Sequence, residues 1–70
     1  MENHKRLKGT LINLFRRREK LEKQLDKAYL RENVTDFIAI ESRHRKVAIL
    51  IDRLLPKLSP HDRQDLQRAL

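Results

Sequence analysis

The side chains that most often perform catalysis are few in this chain and poorly spaced for it. The chain has three histidines and no cysteine. Ser42 precedes His44 by two positions, a spacing that points the two side chains to different faces of a helix. Gly9 is the only glycine, which excludes a Gly-rich phosphate-binding loop. We therefore predict that the chain is not an enzyme, has no catalytic residue and binds no cofactor.

A metal site is the sharpest chemical alternative. Glu41 and His44 form a Glu-x-x-His step of the kind found in di-iron four-helix bundles, and a dimer would supply two such steps. Glu22, roughly opposite His44 in an antiparallel hairpin, would add a carboxylate. Against this, Arg18 would repel a divalent cation, and Glu and His three residues apart are common on helix surfaces. We predict no metal site, with Glu41 and His44 of an oligomer as the alternative.

The positive charge of the chain is unevenly distributed. Seventeen Lys and Arg against ten Asp and Glu give a net charge of +7. Residues 1–31 carry ten basic and four acidic side chains, a net +6, whereas residues 32–70 carry seven and six, a net +1. Such an excess favours a nucleic acid, an anionic membrane surface or an acidic protein as partner.

The length and composition limit the class of protein. A chain of 70 residues forms one domain with a marginal core, because it buries only about 60% of its unfolded surface. Without disulfides or a zinc cluster, self-association or a partner is the expected source of further stability. No apolar run approaches the ~20 residues of a membrane span, and the first residues lack the apolar stretch of a signal peptide. We predict a cytoplasmic protein without a transmembrane segment.

Apolar residues recur in steps of three and four along two stretches, which predicts two long helices. Helix one is expected over about residues 11–31, because Gly9 is unfavourable within a helix and Thr10 is an acceptable N-cap. A polar turn at about 32–35 precedes helix two at about 36–55, with Asp36 in its first turn.

The end of helix two and a third helix are predicted by proline and serine. Pro56 removes a backbone donor and stops or kinks helix two at about Leu55. Ser59 and Pro60 then have the types expected at the N-cap and first position of a short helix over about 60–69. With Leu66, Ala69 and Leu70 as its only apolar residues, this third helix is expected to dock on the hairpin but not to form a core of its own.

The predicted fold is all-α, an antiparallel helical hairpin plus a short C-terminal helix, because a short turn forces two long helices to run antiparallel. Many apolar residues lie off the stripe that joins the two helices, and residues 47–51 are apolar around the whole circumference. We expect two hairpins to pair as a homodimer into a four-helix bundle with coiled-coil packing, or another protein to cover the second face. The predicted interface residues are Phe15, Leu30, Ile38, Ile49, Leu50 and Leu55.

Two polar residues occupy stripe positions that should be apolar. Arg18 does so in helix one and His44 in helix two. A polar residue at such a position usually fixes register and oligomer order, and this is our preferred interpretation. The alternative is a functional groove or a pH-sensitive contact, because histidine titrates near neutrality.

Basic residues on both helices are the candidates for binding nucleic acid, because phosphate contacts need cationic groups along one face. Acidic residues interleaved in helix one at spacings of three and four would neutralise part of that face. Aromatic residues are few, so base stacking is poorly supported. The possible nucleic-acid contacts are Arg16, Arg17, Lys20, Lys23, Lys27, Arg43, Arg45 and Lys46.

Helix two resembles helices of three families. Glu-Ser-Arg at 41–43 and Ala-Ile-Leu-Ile at 48–51 resemble the second helix of the small hairpin co-chaperones that hold type III secretion needle subunits. Residues 44–58 are similar to the core of the Hha-type nucleoid modulators, and residues 47–57 to the second helix of a protein of the large ribosomal subunit. Because one segment resembles three families, the resemblance implies a helical hairpin and no particular functional residue.

Taken together, these patterns predict a non-enzymatic helical-hairpin module that binds protein through an apolar helix face, as an adaptor, co-chaperone or regulatory protein. The alternative is a basic hairpin that binds DNA or RNA, or modulates the nucleoid or transcription, through the basic face of residues 16–27.

Overall fold

The computed structural model describes the backbone of residues 2–70 and the side chains of residues 5–70. Helix α1 spans Glu2–Leu30, helix α2 Val34–Leu54 and helix α3 Pro60–Ala69, with a 3-10 turn, Leu55–Lys57, before α3. Residues 2–70 contain no strand, and none of their helices has the length and apolar content needed to cross a membrane. The predicted all-α hairpin with a short C-terminal helix is confirmed.

The first helix begins well before the position that its local sequence favours. It starts at Glu2, whereas the sequence predicted a start near Leu11. A Cβ at Gly9 would meet no atom within 4 Å, so glycine there costs only its helix propensity, about 1 kcal/mol. The segment is held in place by Leu7, which packs against the core, and by Lys8, which pairs with α3. Tertiary contacts therefore override the unfavourable local preference.

The turn between α1 and α2 is closed by hydrogen bonds at both helix ends. The N–H of Glu32 donates to the Tyr29 carbonyl at 3.1 Å, and the N–H of Asn33 donates to the Ala28 carbonyl at 3.0 Å, the two bonds of a Schellman motif. Glu32 adopts the left-handed φ of 55° that this motif requires. Asn33 then caps α2 by accepting the N–H of Asp36 at 3.2 Å. As a result, α2 begins directly after Asn33, earlier than the predicted residue 36.

Proline and serine set the path from α2 to α3. Pro56 lies in the 3-10 turn, and α2 ends just before that turn. The Ser59 Oγ accepts the N–H of Asp62 at 3.2 Å, and Pro60 is the first residue of α3. This geometry agrees with the N-cap predicted from the sequence.

The core follows the contact between α1 and α2 and continues beneath α3. Leu66 of α3 is 3% exposed, and α3 docks on the hairpin as expected. It joins the core because the turn at Pro56 lays α3 back across the start of α1. The buried apolar residues are Leu11, Leu21, Ala28, Val47, Ile51, Leu58 and Leu66.

An ion-pair cluster also holds α3 against α1. The Lys8 Nζ lies 2.8 Å from Asp62 Oδ1 and 3.4 Å from Asp65 Oδ2. Its hydrogen bond to Asp62, with a smaller contribution from Asp65, raises the pKa of Lys8 above the ordinary value against a smaller effect of desolvation. Docking of α3 therefore combines a buried leucine with a charged contact.

Candidate interaction surfaces

Of the three side chains considered for a metal site, Glu22 and His44 meet, but Glu41 does not join them. The Glu41 Oε1 lies 3.0 Å from Arg45 Nη2 on the same helix. The His44 Nε2 lies 3.2 Å from Glu22 Oε1 across the hairpin. Among residues 5–70, no group of three His, Asp or Glu side chains is arranged to hold a metal ion. In the single chain, Glu41 and His44 therefore have separate partners.

Arg18 and His44, the polar residues of the apolar stripe, meet at Glu22. The Arg18 Nε lies 3.8 Å from the same Glu22 oxygen that His44 contacts. The Arg18 guanidinium also lies 4.8 Å from the centre of the Phe15 ring, within the range of a cation–π contact. Arg18 and His44 are partly exposed, so both side chains stay in contact with water. This link between α1 and α2 fits the predicted role in helix register, which stays a prediction.

The residues predicted to form a partner interface divide into two groups. Phe15 and Leu55 are half-buried and pack against the core of their own chain. The apolar stretch 47–51, expected to be covered on every side, is open on one side in the single chain. The exposed members of the predicted interface are Leu30, Ile38, Ile49 and Leu50.

An apolar surface lies at the turn end of the hairpin. We call it the apolar tip, and its members, each more than half exposed, are Tyr29, Leu30, Val34 and Ile38. A groove of about 250 Å³ beside it is lined by Ala28, Tyr29, Glu32, Asn33, Val34 and Phe37. Tyr29 and Val34 were not among the predicted interface residues. The apolar residues on both sides of the turn are the sequence feature that would have indicated them.

A second surface is a groove of about 500 Å³ between α1 and α2. Leu21 is buried in it, and the polar residues around it are exposed. Cationic groups from both helices therefore surround a buried leucine. We call this the basic groove, and its lining residues are Arg16, Arg17, Lys20, Leu21, Gln24 and Arg43.

The basic groove continues along both helices. Toward the turn, Gln24 also lines an adjoining groove with Lys27, Arg31 and Asp36. On α2, Lys46 and Arg53 follow Arg43 at helical spacing and share its face. We call the combined surface the basic side, and its charged residues are Arg16, Arg17, Lys20, Lys27, Arg31, Arg43, Lys46 and Arg53.

Three acidic residues of the two long helices, Glu19, Glu22 and Glu41, pair with cations of their own helix. Lys23 lies 3.7 Å from Glu19, and Arg45 lies 3.0 Å from Glu41. These two predicted nucleic-acid contacts therefore have carboxylate partners. Arg45 faces away from Arg43 on α2, whereas Lys23, seven residues after Arg16, lies at the edge of the basic side. Among the side chains of residues 5–70, no residue of the basic side forms an ion pair. The expected neutralisation thus affects the outer face of the hairpin and leaves the basic side charged.

Comparison with protein-family models, with curated proteins and with solved structures found nothing that matches this chain. The similarity of helix two to three hairpin families is therefore local. A function for the chain has to be argued from the apolar tip, the basic side and the exposed apolar residues of α2.

Proposed function

We propose that the chain is a non-enzymatic protein-interaction module, a helical hairpin that binds protein through the apolar tip. Its first partner in this proposal is a second copy of the chain. An adaptor, co-chaperone or regulatory role in the cytoplasm, as predicted from the sequence, is part of the same proposal.

The exposure of the apolar tip carries this proposal. Tyr29 is 73% exposed, Leu30 79%, Val34 68% and Ile38 62%, and these side chains lie together at one end of the hairpin. A contiguous apolar surface that is exposed to water in the single chain is more often an interaction site than a surface without a function. A small domain without disulfides also gains stability by covering such a surface.

Pairing of two copies is favoured by where the charges lie. Two chains that each carry a net charge of +7 repel each other least when their basic sides face apart. Ile38 and Ile49 lie about three turns apart on the outward face of α2, away from the basic groove. A two-fold contact centred on the tip, with Ile49 at its edge, would give the predicted four-helix bundle.

Light scattering coupled to size exclusion tests the proposal, with two matched double variants. Leu30→Gln with Ile38→Gln removes a leucine and an isoleucine from the apolar tip. Leu50→Gln with Ile49→Gln removes the same two residue types from the middle of α2. Glutamine is a good helix former, so both variants should keep their helical circular dichroism.

We expect the wild-type chain to be a dimer over about a hundredfold range of concentration, and the tip variant to be a monomer at the lower concentrations. The control variant should be weakened less. A wild-type monomer at every concentration would overturn self-association. Dimers that survive in the tip variant but dissociate in the control variant would show that the interface lies on the middle of α2.

A further inference from the structure

We infer that the basic side binds the phosphate backbone of a double-stranded nucleic acid, independently of base sequence. This inference does not rest on the protein contact proposed above, because it uses other residues on a different surface. It concerns the charge and shape of the basic groove and its continuation along both helices.

The first argument is that competing carboxylates are few around the cations of the basic side. On a helix, neighbours at three and four positions are the ones that neutralise a cation. Arg17, Lys20 and Lys27 in α1 have no Asp or Glu at these positions, and neither do Arg43 and Lys46 in α2. Asp36 lines the turn end of the basic side, where its carboxylate accepts a hydrogen bond from Asn33. An anion that binds at the basic groove therefore does not have to displace an existing ion pair.

The second argument is the shape of the charged surface. Arg16 to Arg31 extend for about 22 Å along α1 at 1.5 Å per residue, and Arg43 faces Lys20 across the basic groove. A row of cations on two parallel rods fits a linear polyanion, whose charges repeat at about 1.7 Å of duplex axis. A compact anion would use only a small part of this row.

The third argument is the chemistry of the side chains. Most cations of the basic side are arginines, whose planar guanidinium binds phosphate oxygens in a two-pronged geometry. No aromatic side chain lies on the basic side: Phe15 contacts Arg18, and Tyr29 and Phe37 line the groove at the tip. Single-strand binding depends on aromatic stacking, so the surface favours a duplex.

A membrane surface is the less suitable polyanion. Helices that lie on anionic bilayers insert a row of large apolar side chains between their basic residues. On the basic side, Leu50 is the exposed large apolar residue. The apolar tip belongs to another part of the hairpin, so the two features do not combine into one amphipathic face.

Fluorescence anisotropy with a labelled duplex of about two helical turns and mixed sequence tests the inference. If about five phosphates are contacted, the logarithm of the binding constant should fall with the logarithm of salt concentration at a slope of about −4.5. Affinity should then drop about 500-fold between about 50 and 200 mM salt. Scrambled sequences should bind alike.

Two double variants with the same change in net charge separate a local site from overall charge. Arg17→Gln with Arg43→Gln removes a cation from each wall of the basic groove. Arg45→Gln with Arg68→Gln removes two arginines that lie off the basic side, one on the outer face of α2 and one on α3. At about 100 mM salt the groove variant should bind on the order of 50-fold more weakly, with a slope about two units shallower. The control variant should change affinity by less than about threefold.

Several results would overturn the inference. Equal losses in the two variants would mean that net charge acts without a site. Tighter binding to a single strand of the same length than to the duplex would contradict the choice of ligand, and so would binding to phosphatidylserine vesicles with none to the duplex. If the tip variant is monomeric and binds the duplex with wild-type affinity, duplex binding is independent of the proposed protein contact.

Discussion

Replacing Gly9 tests whether α1 extends to the N-terminal side of Leu11. In the structure Gly9 is an interior helical residue, and a Cβ there would meet no atom within 4 Å. Gly9→Ala should therefore remove the entropic cost of glycine without any steric penalty. If instead the helix began at Thr10, residue 9 would lie outside it and alanine would change little.

The magnitude follows from helix propensity. Alanine is favoured over glycine by about 0.8–1 kcal/mol within a helix, and the effect is undiminished here because the new methyl group has no contact to lose or gain. For a domain of this size about 1 kcal/mol raises the melting temperature by roughly 4–8 °C. Gly9→Pro should have the opposite effect, up to about 3 kcal/mol, because proline removes a helical hydrogen bond.

Urea denaturation followed by circular dichroism at the helical minimum measures both changes. Gly9→Ala should raise the midpoint at an unchanged slope, and Gly9→Pro should lower it and reduce the helical signal of the folded state. A midpoint that stays the same in both variants would refute the reasoning, because it would place residue 9 outside the helix and return the start of α1 to Leu11.

Three further changes test the turn, the third helix and its ion pair. Glu32→Gly should stabilise the protein by about 1 kcal/mol relative to Glu32→Ala, because glycine adopts a left-handed φ without strain; equal midpoints in urea would contradict the turn geometry. Leu66→Ala should destabilise by about 2–5 kcal/mol, and Gln67→Ala, on the exposed face, should change stability little; similar effects would mean that α3 is not docked. The Lys8 pKa is raised by Asp62, so the stabilisation by Lys8 is fully present below the ordinary pKa of 10.5 and is lost as pH rises through the higher folded-state value. On the alkaline side, the difference in stability between wild type and Lys8→Gln should therefore stay constant up to pH 10.5 and shrink above it.

The elements that were predicted well are those determined by residues close together in the sequence. Pro56 ends α2 because its ring cannot continue a helix, and Ser59 caps α3 because its hydroxyl reaches a backbone N–H three residues on. Each effect needs only a few residues of context. The start of α1 was predicted too late because Leu7 and Lys8 are held by contacts with distant parts of the chain, which no local rule contains.

The docking of α3 could be predicted from its apolar residues, but its place on the hairpin could not. Leu66 completes the core that contains Leu11 and Leu58, because the turn at Pro56 lays α3 across the start of α1. The same docking decides which predicted interface residues remain available. Phe15 is partly covered beside the end of α3, where it lines a groove with Leu70, whereas Ile49 is not covered.

The charge of the basic side depends on the same placement of α3. Asp62 and Asp65 dock at Lys8, and Leu70 lies beside Arg18 and Glu22, so α3 and its carboxylates occupy the opposite side of the hairpin from the basic groove. The sequence showed only a modest net charge with acidic residues interleaved among basic ones. Folding separates the two signs of charge. Acidic residues of α1 and α3 pair with cations on the α3 side and on the outer face of the hairpin. The remaining cations lie together on the basic side, and a polyanion that binds there reduces their mutual repulsion.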